Sequence, residues 1–553
     1  MAVAAGCAGM NARNAAIWYA QDGFDPAANG INGRRVAGEF FLKGFLRHGA
    51  VDEIALISKA PDEIAPVRDL AAALRPQMRL RHVPLSRPMA VAPVQTVFFP
   101  SPNFTAEAWR RAPYGSAAWA LCGITHTTST AAVMQGFFDL RMGPVMAWDA
   151  VICTSNAVLG SVTHQMELID DHFARHLRAV PPPRPMLPVI PLGVHCDDFT
   201  PDAGAGAALR AQLGAGPEDV VFTTIARLTP HEKFDPLPIY LAMQRAQAEL
   251  SGVRLFVAFC GMFRDNYSRK VFSEGAARLM PDVGFALLDG ADAGQRKAAL
   301  SGADVFLFMI DNIQETFGLA PIEAMAAGLP LLVSDWDGMK DTVSADVGFR
   351  VPTRMLSPQH LASEALRYQG GMDNYVQYCA STSALTEVDM GALVARIVDL
   401  AADKGLRARM GAAAQARARA VYDWARIIPQ MQDLWAEQDA MRRVGTGLRY
   451  GAHALPVAPS PAALFGGYPT EQARFGAQVF AATGRGDLAE LLRVRNYQGL
   501  KRMFAAPDQI AAVLAATGRG ADVARIAQAA GVPPMQVERI LIWLLKYDLI
   551  RRI

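Results

Sequence analysis

The sequence predicts an α/β protein with two doubly wound parallel sheets and a small, mainly helical C-terminal domain. Two observations indicate the sheets: short apolar runs alternate with amphipathic segments up to about residue 200, and the same alternation starts again at residue 220. The third observation is a tail of helical patterns behind a stretch rich in Gly, Pro and Ala. A chain of 553 residues has material for about three or four domains.

The first half predicts one Rossmann-like domain, residues 1–200, in which each apolar run precedes a helical pattern. A loop containing Gly30 and Gly33 follows the first strand, and glycines there let the backbone approach a ligand closely. A turn of this kind is also common without a ligand. Residues 200–206 are predicted to connect the two domains. The candidate strands are residues 16–19, 54–57, 96–99, 118–122, 150–153 and 187–190.

The second half predicts another Rossmann-like domain, residues 201–440, on the same grounds. Its apolar run at 304–310 is typical of a buried parallel strand. Pro321 suits the first turn of the helix that follows, and Gly328 suits its end. The candidate strands are residues 220–225, 255–259, 286–288, 305–308 and 330–333.

Two carboxylates, Glu315 and Glu323, stand on either side of the junction between this strand and helix. The N–H groups of Phe317, Gly318 and Leu319 lack helical partners there and carry the positive end of the helix dipole, which favours phosphate or hydroxyl oxygens. Glu323 is placed to accept hydrogen bonds from a vicinal diol. The pattern therefore indicates a nucleotide-sugar site, while a plain capped helix remains the alternative.

Two cations, Arg227 and Lys233, come just after the strand at 220–225. Ligands of open α/β sheets bind at this carboxyl edge, so both cations are expected over the cleft, where they could stabilise a diphosphate without a metal. His126 follows the strand at 118–122 and is expected at the corresponding edge of the first domain. The alternatives are a solvated loop for the cations and a structural role for the histidine.

These pieces occur in the order found in retaining glycosyltransferases of family 4, which have the two-domain GT-B fold, and the chain resembles that family over roughly residues 14–440. The stretches that carry the resemblance are 29–33, His126, 154–157, 189–194, 226–228 with Lys233, the block from Glu315 to Gly328, and 347–352. The chain departs from the family pattern at Phe234 and Thr316, where Gly and Pro are common.

The resemblance implies roles for individual residues. Arg227 and Lys233 would contact the donor diphosphate, Glu323 the ribose, Glu315 the donor sugar, and His126 would lie near the transferred sugar. It also implies that a helix around Trp424 crosses back onto the first domain.

The predicted function is transfer of a sugar from a nucleotide diphosphate donor to a hydroxyl acceptor, which could be a glycan, a lipid-linked intermediate or a protein. We expect retention, no metal, and no cofactor besides the donor substrate. The alternatives are a GT-B epimerase or phosphorylase, and a sugar-nucleotide sensor that acts through the C-terminal region. The base, the sugar and the acceptor have no readable signature.

Composition narrows the partners and the compartment. Lys and Arg total 54 against 52 for Asp and Glu, so the overall charge does not favour nucleic acid. The six cysteines include no Cys-x-x-Cys pair and are expected to be reduced. No apolar run approaches the roughly 20 residues that span a bilayer, so a cytoplasmic protein is expected, with peripheral docking at the inner face of the membrane left open.

Residues 441–468 are predicted to be a linker, and residues 469–553 a separate module. The end of this module resembles a winged helix: a helix, a glycine turn, a second helix and a hydrophobic exit. The second helix carries mostly core residues and few cations, so we expect a protein contact or self-association rather than DNA binding.

Overall fold

A six-stranded parallel sheet forms the centre of the first domain in the computed structural model, which describes residues 13–24, 33–495 and 505–553. The strand order is β3-β2-β1-β4-β5-β6, which reverses direction at β1 as in a doubly wound fold. The strands are β1 (Ala16–Trp18), β2 (Glu53–Ser58), β3 (Arg79–Pro84), β4 (Thr96–Phe98), β5 (Ala120–Ile124) and β6 (Ala150–Ile152).

Helices cover both faces of this sheet and bury its apolar strands. The long helices are amphipathic, and Ser155 caps the longest by accepting a hydrogen bond from the N–H of Val158. The helices are α1 (Gln21–Phe24), α2 (Gly33–His48), α3 (Ala65–Leu74), α4 (Thr105–Arg111), α5 (Ala131–Met142) and α6 (Asn156–His176).

A second six-stranded parallel sheet has the order β12-β11-β10-β7-β8-β9. Its central strands are fully buried runs of apolar residues, as expected for a sheet covered on both faces. The strands are β7 (Val220–Ile225), β8 (Leu255–Gly261), β9 (Gly284–Asp289), β10 (Val305–Phe308), β11 (Leu331–Ser334) and β12 (Gly348–Val351). The helices between them are α7 (Ala203–Leu213), α8 (Leu237–Glu249), α9 (Asn266–Leu279), α10 (Ala293–Gly302), α11 (Leu319–Ala326) and α12 (Met339–Thr342).

An excursion leaves the second sheet after β12. We call residues 353–388 the arm; it consists of an antiparallel ribbon, β13 (Thr353–Met355) with β14 (Thr386–Val388), that carries the helices α13 (Ala362–Gln369) and α14 (Tyr375–Ser383). The chain then returns to the second domain through α15 (Met390–Ala402) and α16 (Lys404–Arg417).

The helix α17 (Trp424–Val444) packs on the first domain, as the resemblance implied. Trp424 and Trp435 are buried against Phe41 and Phe45, with ring centroids 6.0 and 5.4 Å apart. The Gln438 side chain donates hydrogen bonds to two carbonyl oxygens of the first domain. This helix therefore completes the core of a sheet that lies far earlier in the sequence.

Residues 458–553 form a compact unit separate from residues 1–457. The helix pair predicted near the end is present, and Gly531 between its helices has a positive φ of 65°. A small antiparallel sheet of order β16-β15-β17 joins the helices. The elements are α18 (Pro461–Leu464), β15 (Val479–Ala482), α19 (Leu488–Val494), α20 (Pro507–Thr517), β16 (Ala521–Asp522), α21 (Val523–Ala530), α22 (Pro534–Lys546) and β17 (Ile550–Arg552).

The predicted fold class is confirmed: the chain has two Rossmann-like sheets in the GT-B arrangement and a small, mainly helical C-terminal region. One predicted strand is wrong, because residues 187–190 make only an isolated bridge between Cys153 and Val189, and Pro188 has no N–H to donate. The edge strands β3 and β12 were not predicted. The domain boundaries drawn from the sequence stay predictions, and α7 begins inside the predicted connection 200–206.

None of the helices in residues 13–24, 33–495 and 505–553 combines the length and the apolar content that a bilayer crossing requires.

Candidate active site

A cleft of about 1000 Å³ lies between the carboxyl edges of the two parallel sheets. Its walls come from loops that follow strands in both domains, which is where ligands of such folds bind. Eight of the ten predicted site residues line it. They are His126 from the first domain and, from the second, Arg227, Lys233, Glu315, Phe317, Gly318, Leu319 and Glu323.

The remaining two predicted residues belong to the glycine loop of the first domain. Gly30 lies outside the described residues, and Gly33 is the first residue of α2.

An ion pair joins Lys233 to Glu315 on the wall formed by the second domain. The two side chains are 19% and 11% exposed, so water screens the pair only in part. Burial acts to raise the pKa of Glu315, but Lys233 and nearby backbone N–H groups outweigh that effect, and the net pKa is lowered. Glu315 is therefore ionised at neutral pH.

The same carboxylate occupies the N-terminus of α11. One oxygen of Glu315 accepts hydrogen bonds from the N–H of Gly318 at 3.0 Å and of Thr316 at 3.3 Å. Gly318 itself has a φ of 84°, which favours glycine and allows the chain to turn from loop into helix. The sequence pointed to these amides as open contacts for a donor, whereas in the structure Glu315 already uses the N–H of Gly318.

Glu323 lies in the second turn of α11 and faces the cleft. Within the described part of the chain, no hydrogen bond or ion pair engages its carboxylate. Burial raises the pKa of Glu323 to about 7, and the charge of Arg296, also a cleft residue, lowers it in part. The structure thus holds an acidic acceptor whose partner is not supplied by the described residues.

Arg227 lies at the rim, where its side chain is 41% exposed. Its guanidinium donates to the side-chain oxygen of Gln314 and lies 3.7 Å from the Glu232 carboxylate. Arg264 binds the same Glu232 at 2.6 Å and so offsets its charge. Arg227 is consequently held at the cleft by Gln314 from the loop after β10 and by Glu232 from its own loop.

His126 stands on the opposite wall, just after β5. Its Nε2 lies 3.2 Å from the carbonyl oxygen of Pro100. A carbonyl can only accept, so this bond places a proton on Nε2. The bond therefore fixes the orientation of the imidazole ring at the cleft wall.

The two departures from the family pattern are accommodated. Phe234 is 1% exposed and packs edge-on against Phe259 and Phe272, so it anchors the loop in the core and leaves Lys233 directed at the cleft. Thr316 places its carbonyl oxygen against the first domain, where the Ser155 hydroxyl donates to it at 3.1 Å.

The stretch 154–157 joins the two domains beside the cleft. The N–H of Asn156, at the start of α6, donates to the Asp341 carboxylate at 2.6 Å, which places a negative charge at a helix N-terminus. Ser155 also contacts Asp337 at 3.4 Å. The loop around Asp337 thus makes a contact between the two domains.

Sequence reasoning missed three cleft residues that shape the site: Gln314, Arg296 and Gly261. Gln314 accepts a hydrogen bond from Arg227, and the positive charge of Arg296 lowers the pKa of Glu323. Gly261 ends β8, and a Cβ there would lie 1.8 Å from the carbonyl oxygen of Ala226. Only Gly261 had a usable signal, since it ends an apolar strand at the carboxyl edge of the sheet.

In the described ranges, no three His, Cys, Asp or Glu side chains are grouped so that they could hold a metal ion. The five cysteines in those ranges are buried, and none of them forms a disulfide in this structure.

A known protein family matches the second domain, which carries most of these residues. Residues 207–368 match the family model "Glycosyl transferases group 1". This segment contains Arg227, Lys233, Glu315 and Glu323. It ends inside the arm and does not include His126.

Curated relatives match over a similar length. The D-inositol 3-phosphate glycosyltransferases of Mycobacterium sp. strains KMS and JLS are each 30% identical over 161 residues, 27% of this chain. The match spans about a third of those relatives, 32% of their length.

Solved structures with a similar chain path cover more of the molecule. The Anabaena protein HepE in complex with UDP is 14% identical, covering 76% of this chain and 98% of HepE, with a TM-score of 0.49. Sucrose-phosphate synthase from Thermosynechococcus elongatus is 18% identical, covering 77% of this chain and 98% of the synthase, with a TM-score of 0.44.

Proposed function

We propose that this protein is a glycosyltransferase that moves a sugar from a nucleotide diphosphate donor to a hydroxyl acceptor. The observation that carries the proposal is the cleft wall on which Arg227, Lys233 and Glu323 converge, within the segment that matches the glycosyltransferase family model. Two cations and a diol-accepting carboxylate are the groups that a diphosphate and a ribose require.

In the proposed reaction, the bond between the sugar and the donor diphosphate breaks while a bond to the acceptor oxygen forms. The acceptor hydroxyl releases its proton, and the nucleoside diphosphate leaves with additional negative charge. Lys233 and Arg227 stabilise that charge, because it develops on oxygens next to them in a partly enclosed site. Their positions are fixed before the reaction by Glu315 and Gln314.

Glu323 binds the ribose in this proposal. A carboxylate that meets no partner among the described residues gains two hydrogen bonds from a vicinal diol, which offset the cost of its partial burial. Glu315 reaches the sugar from its place at the N-terminus of α11, and His126 lies near the transferred sugar on the opposite wall. Retention and independence from metal are part of the proposal by resemblance to family 4.

The nature of the donor can be tested by thermal shift with UDP-glucose, GDP-mannose and ADP-glucose. A ligand that binds only the folded state raises the apparent melting temperature by mass action. We expect one of the three to do so in the wild type and to lose most of its effect in Arg227→Ala. Arg278→Ala removes a cation that is 78% exposed on α9 and should bind like the wild type. Equal thermal shifts in the wild type, Arg227→Ala and Arg278→Ala would contradict a role for Arg227 in binding the donor.

The C-terminal unit enters the proposal as a docking module. The helix α22 buries Val537, Ile540, Leu541 and Leu544 in the unit's own core, which leaves Met535 and Ile542 among its exposed residues. A helix surface with exposed apolar residues and few cations is better suited to binding another protein than to binding DNA. Its likeness to a winged helix remains a prediction.

A further inference from the structure

The arm, residues 353–388, contacts the loop that carries His126. This loop, residues 125–130, connects β5 to α5 in the first domain, whereas the arm leaves the sheet of the second domain. The hydroxyl of Tyr375 lies 3.0 Å from the Thr127 hydroxyl and 2.8 Å from the Ser129 hydroxyl. The hydroxyl of Tyr368 accepts a hydrogen bond from the N–H of Ala131 at 2.8 Å.

The arm is braced so that these hydroxyls hold their places. Arg367 and Asp373 form a two-bond ion pair, with N···O distances of 2.8 and 2.7 Å, that closes the turn between α13 and α14. The rings of Tyr368 and Tyr378 stack with centroids 4.5 Å apart. A tyrosine presented from such a support loses little side-chain entropy when it bonds the loop.

The loop is held from its other side by the second domain. The Ser129 hydroxyl lies 3.5 Å from the carbonyl oxygen of Ile313, the residue next to Gln314, which binds Arg227. Thr127 and Thr130 line the cleft together with His126. The Tyr375 hydroxyl thus contacts the part of the loop, Thr127 and Ser129, that lies between the arm and the cleft wall of the second domain.

Tyr375 keeps its proton at any physiological pH, because burial raises the pKa of its hydroxyl above the ordinary value. A neutral hydroxyl donates one hydrogen bond and accepts others, so it can serve Thr127 and Ser129 together.

Resting on the proposed glycosyl transfer, we propose that Tyr375 is a positioning residue, which fixes the turn at Thr127 and Ser129 and thereby keeps His126 in the cleft wall. It does not touch the substrate in this scheme. Its effect passes through the backbone of two residues to the imidazole.

The test compares Tyr375→Phe with Tyr378→Phe. The first removes the hydroxyl shared by Thr127 and Ser129 and keeps the ring. The second removes a hydroxyl on the same arm that makes no hydrogen bond in the described part of the chain. Both proteins retain the stacked rings, so both are expected to fold.

Two readouts are measured on the full chain. The first is hydrolysis of whichever sugar nucleotide gives the largest thermal shift among UDP-glucose, GDP-mannose and ADP-glucose. We expect kcat to fall about three- to tenfold in Tyr375→Phe with KM unchanged, and neither to change in Tyr378→Phe. Ser129→Ala should show the same loss, and the double variant Ser129→Ala with Tyr375→Phe no greater loss than either alone.

The second readout is hydrogen exchange of residues 127–131, which needs no substrate. Exchange should become faster in Tyr375→Phe and stay unchanged in Tyr378→Phe. Unchanged exchange in Tyr375→Phe would overturn this inference whatever the activity. Absence of both thermal shift and turnover with all three donors in the wild type would overturn the proposed function, and the positioning role with it.

Discussion

Lys233 and Glu315 form an ion pair on the cleft wall that the second domain provides. Sequence reasoning assigned both residues to a ligand, one to the diphosphate and the other to the sugar. The structure shows that the two residues also bind each other, and that Glu315 accepts a hydrogen bond from the N–H of Gly318. The pair sets the position of the cation before any ligand arrives, and its removal should therefore affect both turnover and stability.

If the proposed function holds, replacing Lys233 by Ala should lower turnover by about 100-fold or more, because it removes a charge next to the diphosphate of the proposed donor. It should also lower the free energy of unfolding by about 1–3 kcal/mol, since Glu315 is left partly buried without its counter-charge. Steady-state kinetics and urea denaturation measure the two effects. Lys270→Ala, at a side chain 67% exposed on α9, should change neither. Wild-type turnover in Lys233→Ala would argue against a diphosphate role.

The affinity for a sugar nucleotide should depend on pH through Glu323. Burial raises the pKa of this carboxyl to about 7, and the ribose hydroxyls of the proposed donor would bind its ionised form best. A sugar nucleotide has no ionisation of its own near neutral pH, so affinity should rise between about pH 6 and pH 8 and level off above. Calorimetric titration across this range measures the effect, and Glu323→Gln should bind more weakly and without that rise.

Protein stability should respond to the same group with the opposite sign. The folded pKa of Glu323 lies above the unfolded value of about 4.3, so the folded state holds the proton more tightly. The contribution of Glu323 to the free energy of unfolding is therefore complete below about pH 4, declines up to about pH 7 and is constant above. The Glu323→Gln variant should lack this decline. Glu274→Gln, on the surface of α9, should retain it.

Breaking the ion pair between Arg111 and Asp149 should destabilise the first domain strongly. Both side chains are fully buried, with two N–H···O bonds of 2.7 Å, and Asp149 also accepts from the N–H of Leu121. Arg111→Met leaves a buried charge unpaired and should cost about 3–5 kcal/mol in chemical denaturation. Arg175→Met breaks an exposed pair with Asp171 and should cost under about 0.5 kcal/mol.

Gly193 should not tolerate even a methyl group. A Cβ at this position would lie 2.7 Å from the ring of Trp424, so Gly193→Ala should destabilise the protein by about 1–3 kcal/mol through overpacking. Gly160, inside α6, has open space around its Cβ position, and Gly160→Ala should stabilise by about 0.5–1 kcal/mol. Opposite signs in thermal denaturation confirm the packing argument, and equal signs contradict it.

The strands that could be predicted are those buried on both faces, because they read as apolar runs such as residues 305–308. The edge strand β3 (Arg79–Pro84) contains two Arg and a His and is partly exposed to water. Its composition therefore lacks the apolar run by which the buried strands were predicted. The wrong strand at 187–190 is apolar, but Pro188 interrupts its hydrogen bonding. Apolar patterning alone does not report which N–H groups are available.

The site was predictable as far as topology brings residues to one edge of a sheet. Arg227, Lys233 and Glu323 follow strands or begin helices, and parallel strands carry them to a common cleft. The contact of Tyr375 with the His126 loop was not predictable. It joins segments more than two hundred positions apart, and its hydroxyl bonds depend on loop geometry that no periodicity encodes.

The packing of α17 on the first domain has a consequence for biosynthesis. The β-sheet that leaves the ribosome first lacks Trp424, Trp435 and Gln438, which fill and bond its core. Translation at about 5–20 residues per second supplies them only after a delay on the order of tens of seconds, once the whole second sheet has been made. During that interval Phe41 and Phe45 lack their aromatic partners, so the nascent chain exposes apolar surface that favours association with other chains.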